Sequence, residues 1–160
     1  MAIAGIVAEF NPLHNGHKYL IDCAKSDGHD VAIVLSGNFV QRGDTAIIPK
    51  YKRAESALIC GADIILELPV PWSMSTAQNF ALGALSQLSA LNIDILYFGS
   101  ECGDDFLLNQ IAELLLSEDF NIKLKEKGDY ARFMVELCNF NEDDLLIDDF
   151  NFILKSLIVV

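Results

Sequence analysis

The segment that decides the fold is Glu9-Phe10-Asn11-Pro12-Leu13-His14-Asn15-Gly16-His17, close to the start of the 160-residue chain. Residues 2–8, which precede it, form a short apolar run rich in Ile and Val, which predicts a buried strand. From Asn15, which we expect to be an N-cap, apolar residues recur with helical spacing. They are Tyr19, Leu20, Cys23 and Ala24.

Two histidines stand where this strand passes into the helix. The first N–H groups of a helix lack partners within it and lie at the positive end of its dipole, so the position favours anions. Gly16 has no side chain to keep a phosphate away from the backbone. His14 and His17 are three residues apart and would reach the same anion from the loop and from the first turn. The alternatives are a surface pair or half of a metal site without a third ligand.

Four strands alternate with helices along the first hundred residues. The strands are predicted at residues 2–8, 31–35, 63–68 and 93–98, and the helices after the first at 50–60 and 76–91. This order predicts an α/β fold, a Rossmann-like parallel sheet with flanking helices and right-handed crossovers. Ligands of such sheets bind beyond the carboxyl ends of the strands, where the polar loops fall. These loops are residues 9–17, 36–49, 68–75 and 99–104.

The remaining residues carry a different pattern. We expect an α/β core at residues 1–104 and a helical, acidic extension of the same domain at residues 105–160, with helices at 107–116, 130–138 and 145–157. The apolar end, Leu157-Ile158-Val159-Val160, suggests that a strand begins there and that the chain is truncated.

Composition narrows the class of protein. The net charge of −12 argues against a dedicated nucleic-acid surface. Residues 101–160 hold 14 acidic and 5 basic residues, a balance of −9, against 9 and 6 in residues 1–100. Four scattered cysteines without a Cys-x-x-Cys pair, and the lack of a signal peptide or a membrane-spanning run, predict a soluble cytoplasmic protein with reduced thiols. They are Cys23, Cys60, Cys102 and Cys138.

The motif Asn-Pro-x-His-x-Gly-His after a first strand resembles the first signature of the HIGH-type nucleotidylyltransferases. In that superfamily the histidines stabilise the phosphates of ATP while its α-phosphate is attacked. Further motifs are similar to those of the tRNA(Met) cytidine acetate ligase family. They are Ser36-Gly37-Asn38-Phe39-Val40-Gln41-Arg42-Gly43, Pro49-Lys50, Arg53, Gly61-Ala62-Asp63, Glu67-Leu68-Pro69 and Phe98-Gly99-Ser100-Glu101.

The resemblance implies a reaction and a set of site residues. It implies adenylation of acetate with ATP and Mg²⁺, followed by acetylation of N4 of the wobble cytidine of elongator tRNA(Met). The implied catalytic residues are His14 and His17. For Arg42, which stands in a loop between Gln41 and Gly43, a catalytic role is favoured over a solvated charge, and no metal ligand in the chain is assigned. The implied ATP-binding residues are Val7, Ala8, Glu9, Phe10, Asn11, Pro12, Leu13, His14, Asn15, Gly16, His17, Lys18, Tyr19, Leu20 and Gly99.

Other charged residues near this edge keep two interpretations. Lys18, Lys50 and Arg53 are either cations for the phosphates or solvated charges on a helix face. Glu67 and Glu101 end strands at the same edge, where a structural role is favoured over a magnesium contact.

The chain departs from the family pattern at two positions and in length. Leu13 replaces a phenylalanine, and Asp143 stands where the family has an ATP-contacting asparagine. The second nucleotide signature and the tRNA-binding region are not seen, so we expect no acetyl transfer by this chain alone unless a partner chain supplies that half. The alternatives are an adenylyltransferase of a small phosphorylated metabolite and a non-catalytic remnant that binds nucleotide weakly or packs against a partner.

Overall fold

Strands and helices alternate along the chain in a computed structural model that describes residues 1–41, 43–99 and 113. The strands are β1 (Ile3–Ala8), β2 (Asp30–Ser36), β3 (Ile64–Leu68) and β4 (Ile95–Tyr97). The helices are α1 (Asn15–Ser26), α2 (Lys50–Ile59), α3 (Val70–Ser73) and α4 (Ala77–Ala90). The predicted strands are confirmed, although β4 is shorter than the expected 93–98.

The four strands form one parallel sheet in the order β3-β2-β1-β4. Ile6 of β1 pairs with Ile33 of β2 on one side and with Tyr97 of β4 on the other. This confirms the predicted α/β class with a parallel sheet. Because β1 and β2 are neighbours in register, the segments that follow them leave the same edge of the sheet side by side.

Both faces of the sheet are covered, which explains the uninterrupted apolar strands. Alternate residues of β2 point to opposite faces, so Ile33 packs with α1 and α2, whereas Val34 packs with α4. Phe80 and Leu88 of α4 complete the second layer. Within the residues described, no helix has the length and apolar character needed to cross a membrane.

Three local predictions are wrong. The N-cap of α1 is His14, so Asn15 is the first helical residue. Tyr19 is 71% exposed while Ile21 is buried, because residues two apart on a helix lie about 200° apart and Ile21 faces the sheet. On α2, the sequence pattern predicts Ala54, Ala57 and Leu58 on the inward face, but Leu58 is 47% exposed and Arg53 takes the buried position.

Several predictions fall outside the described residues. These are the placement of Arg42, Glu101, Cys102, Cys138 and Asp143, the helices expected at 107–116, 130–138 and 145–157, and the division at residue 104.

Candidate functional site

His14 and His17 form a reciprocal cap at the start of α1. The Nδ1 atom of His14 accepts a hydrogen bond from the backbone N–H of Gly16 at 3.2 Å. The Nδ1 atom of His17 accepts one from the backbone N–H of His14 at 3.3 Å. The two rings stack with centroids 3.6 Å apart and an interplanar angle of 23°. The two predicted anion contacts therefore lie together, at the positive end of the helix.

This cap fixes which nitrogen of each ring carries a proton. A ring nitrogen that accepts a hydrogen bond is unprotonated, so the proton of the neutral imidazole is on Nε2 in both residues. The hydrogen bonds of the described residues include none from either Nε2. Two neighbouring N–H donors are thus available to an acceptor such as a phosphate oxygen.

The surroundings of His17 keep its ring neutral. Burial, and to a smaller extent the neighbouring His14, lowers the pKa of His17 to about 4. The ring of Phe10, which is 1% exposed, lies against it with centroids 4.7 Å apart. At neutral pH His17 therefore acts as a hydrogen-bond donor and not as a cation.

Gly16 contributes to the helix cap formed by His14. A Cβ atom at this position would lie 3.1 Å from Cε1 and 3.2 Å from Nδ1 of His14, so the absence of a side chain makes room for that ring. Its N–H group is already donated to His14, contrary to the expectation of an open backbone donor. A phosphate at this helix end would meet the two imidazoles.

Glu9 and Asn11 tie the segment after β1 to the loop after β2. Glu9 Oε1 accepts the N–H of Gln41 at 2.6 Å, and Asn11 Oδ1 accepts the N–H of Ile47 at 2.7 Å. Both residues are expected at the nucleotide, and in this structure their side chains also hold the loop.

The loop after β2 folds back on itself. Val40 N–H donates to Asp44 O and Ala46 N–H donates to Asn38 O, each at 2.9 Å. An isolated antiparallel bridge pairs Phe39 with Thr45. The two paired segments of this loop are residues 38–40 and 44–46.

Arg53 is one of the three cations whose role the sequence left open. It is 1% exposed, and burial lowers the pKa of its guanidinium, partly offset by Glu9 and Glu67. NH1 donates to Glu9 O at 2.5 Å and to Ser36 Oγ at 3.4 Å, NH2 donates to Gly37 O, and Nε donates to Ile48 O at 2.9 Å. The interpretation of Arg53 as a solvated charge on a helix face is therefore wrong. The available signal was its spacing of four residues from the buried Ala57.

Two further cations are paired with acids, Lys18 on an exposed surface and Lys50 in a partly buried position. Lys18 Nζ lies 2.5 Å from Asp22 Oδ2, and Lys50 Nζ lies 2.6 Å from Glu67 Oε2. These carboxylates raise the pKa of each lysine by accepting its hydrogen bonds. Glu67 is thereby held by Lys50. Within the described part of the chain, no group of three or more His, Cys, Asp or Glu could hold a metal ion.

The other residues expected at the nucleotide divide into core and surface. Val7 packs on the α4 side of the sheet, and Ala8, Leu13 and Leu20 pack on the α1 side. The exposed ones are Pro12, Asn15 and Tyr19. Gly99 follows β4 beyond the same sheet edge, and no atom of the described residues would lie within 4 Å of a Cβ there.

Comparisons with known proteins give the family and the fold of the chain. Two relatives named tRNA(Met) cytidine acetate ligase match the chain. The protein of Caldanaerobacter subterraneus subsp. tengcongensis is 50% identical over 131 residues, which are 79% of this chain and 33% of the relative. The Clostridium kluyveri protein is 45% identical over 130 residues, 79% of this chain and 32% of the relative. The chain thus spans about a third of the length of the curated relatives it matches.

A solved structure has the same fold. The crystal structure of Thermotoga maritima TmcAL bound with alpha-thio ATP matches with a TM-score of 0.81 and 31% identity, over 99% of this chain and 43% of that one. The apo form of the same protein matches with a TM-score of 0.80 and 32% identity, over 99% and 42%. The family model described as HIGH Nucleotidyl Transferase matches residues 1–155, and the chain belongs to this family.

Proposed function

We propose that the chain forms part of an ATP site in which His14 and His17 hold the phosphates. The observation that carries this proposal is the stacked pair of imidazoles, each with its Nδ1 engaged on the backbone and its Nε2–H available. The donors fit a polyanion because they lie at the N-terminus of α1. A relative with the same fold was solved with alpha-thio ATP, which supports ATP as the nucleotide.

We propose further that the reaction is adenylation of acetate. A carboxylate oxygen of acetate would attack the α-phosphorus, and the bond to the β-phosphate would break and release pyrophosphate. The donors of His14 and His17 would stabilise charge on the phosphates, and Arg42 would add a cation from the second loop. Gly99 would let the backbone approach the nucleotide. When bound, Mg²⁺ would neutralise phosphate charge, with water and phosphate oxygens as its main ligands.

The acceptor that we propose is elongator tRNA(Met). The N4 amine of its wobble cytidine would attack the acetyl carbon of acetyl-adenylate, AMP would leave, and the amine would lose a proton. The names of the relatives support this acceptor. A cytoplasmic location, RNA binding and a partner chain that completes the site are parts of the same proposal. So is the division into a core at 1–104 and an acidic extension at 105–160.

The nucleotide site can be tested by separating the cap from the ligand donors. Ser at the N-cap with Gln at N3 forms an ordinary capping box, so His14→Ser with His17→Gln keeps the cap and removes both imidazoles. We expect ATP binding, measured by calorimetry, to weaken roughly tenfold per lost donor, about 1.4 kcal/mol each. Thermal stability should change little.

The control is His14→Ala with His17→Ala, which removes both the cap and the donors. It should lose ATP affinity and also about 1 kcal/mol of stability. Unchanged ATP affinity in the Ser/Gln variant would contradict the proposal and favour a purely structural pair.

A further inference from the structure

We propose that Arg53 is a positioning residue for the histidine pair: it holds the carbonyl of Glu9, which keeps Phe10 in the backbone conformation that places its ring on His17. The consequence for ligand binding rests on the proposed nucleotide site. The positioning itself can be tested without a ligand.

The first step is the backbone conformation of Phe10. Its φ is +47°, in the left-handed region that bulky residues avoid, and its side chain is 1% exposed. A residue persists there only when its surroundings determine its conformation. Something in the structure must therefore hold the chain on each side of Phe10.

Both sides of Phe10 are held. On one side the carbonyl of Glu9 accepts from NH1 of Arg53 at 2.5 Å, which fixes the peptide plane that Glu9 shares with Phe10. On the other side Asn11 Oδ1 accepts the N–H of Ile47 at 2.7 Å. The two anchors are linked through the chain. Nε of Arg53 also donates to the carbonyl of Ile48 at 2.9 Å, and Ile48 directly follows Ile47, the residue bound by Asn11.

The guanidinium of Arg53 holds backbone groups in position and is not used for an ion pair. Its partners are the carbonyls of Glu9, Gly37 and Ile48 and the hydroxyl of Ser36. The ion pairs among the described residues include none with Arg53. A planar group with five N–H donors can bridge the segments that follow two neighbouring strands, whereas an ammonium cannot match that fork.

The ring of Phe10 in turn contacts the ring of His17. The two ring centroids are 4.7 Å apart, and His17 in turn stacks on His14. The position of Phe10 therefore sets how far His17 is withdrawn from water. His14 is the titratable neighbour whose ring stacks on that of His17.

The test compares Arg53→Lys, which keeps the positive charge, with Lys52→Gln, a change at an exposed neighbour on the same helix. The readout is the NMR signal of the His17 ring protons in the protein without ligand, followed through a pH titration. We expect Arg53→Lys to shift these signals and to raise the pKa of His17 from about 4 toward its ordinary 6.5. ATP affinity should fall about tenfold, and Lys52→Gln should change neither quantity.

Two further variants keep the inference falsifiable. Asn11→Ala retains Arg53 and removes the second anchor, so it should shift the His17 signals in the same direction, and it carries the test if Arg53→Lys does not fold. Phe10→Gly tolerates positive φ without an anchor and lacks the ring. In that background, adding Arg53→Lys should produce no further shift of His17.

The outcomes separate the two proposals. A lower melting temperature of Arg53→Lys with unchanged His17 signals would overturn the positioning role, and so would unchanged signals in Asn11→Ala. Shifted His17 signals with unaltered ATP affinity would support the positioning role and contradict the nucleotide site.

Discussion

The ring of His17 accepts the backbone N–H of His14, while the ring of His14 stacks on it with centroids 3.6 Å apart. One pair of side chains thus caps the helix through Nδ1 and offers donors through Nε2. Because the cap holds both rings in place before any ligand arrives, a phosphate would meet donors that are already oriented. Such preorganisation is what electrostatic stabilisation of developing charge requires.

The low pKa of His17 predicts a specific loss of stability in acid. The folded protein holds this ring neutral down to about pH 4, whereas the unfolded chain binds a proton near 6.5. The unfolded state therefore gains protons first, and stability falls as the pH drops from 6.5 toward 4. We expect the ring to contribute about 1 to 2 kcal/mol to this loss, after a discount for its partial exposure. Urea denaturation at several pH values gives the free energy of unfolding as a function of pH. Between pH 4 and 6.5 this free energy should change less steeply with pH in His17→Gln than in the wild type, and equal slopes would refute the assignment.

Gly16→Ala should harm the ligand site more than the fold. The added Cβ would lie 3.1 Å from Cε1 of His14 and push the ring from its stacked position. Alanine favours the helix, which offsets part of the cost, so we expect a stability change within about 1 kcal/mol. ATP affinity should fall about three- to tenfold when measured by calorimetry. An unchanged affinity would show that the position of the His14 ring is unimportant for nucleotide binding.

Gly99→Ala is the matched substitution at the other predicted glycine. Here the Cβ would meet no atom of the described residues within 4 Å, so the free energy of unfolding should stay within about 0.5 kcal/mol of the wild type. If the nucleotide approaches this backbone, the methyl group will occupy part of its site, and ATP affinity should fall about tenfold. Equal affinity in the variant and the wild type would remove Gly99 from the proposed site.

The difference between Ile33 and Arg53 shows what the sequence could predict. Ile33 belongs to an uninterrupted apolar run, and such runs predict strands covered on both faces without further information. Arg53 lies on a helix with charged neighbours, so its local pattern does not distinguish a solvated charge from a buried one. Its acceptors come from residues 9, 36, 37 and 48, which only the folded sheet brings together.

For a similar reason, only part of the candidate site could be predicted from the sequence. The motif predicted that His14 and His17 act together, and the stacked rings agree with this. Asn15 was preferred as the cap because asparagine is a common N-cap residue, whereas here the imidazole of His14 reaches the N–H of Gly16. Glu9 and Asn11 are expected at the nucleotide by resemblance, and their contacts with the second loop could not be predicted from the sequence.

The last prediction is that the 160-residue chain binds ATP without acetylating tRNA. Binding RNA requires several phosphate contacts from Lys and Arg, each of which adds to a salt-dependent affinity. The chain carries a net charge of −12, and residues 101–160 account for −9 of it, which should slow encounter with RNA at low salt. We would mix the chain with ATP, labelled acetate and elongator tRNA(Met), and count acetyl groups on cytidine. The relative from Clostridium kluyveri, named tRNA(Met) cytidine acetate ligase, serves as the positive control. Even a single turnover by the 160 residues would refute the prediction, because it would require cationic RNA contacts and a complete site within them.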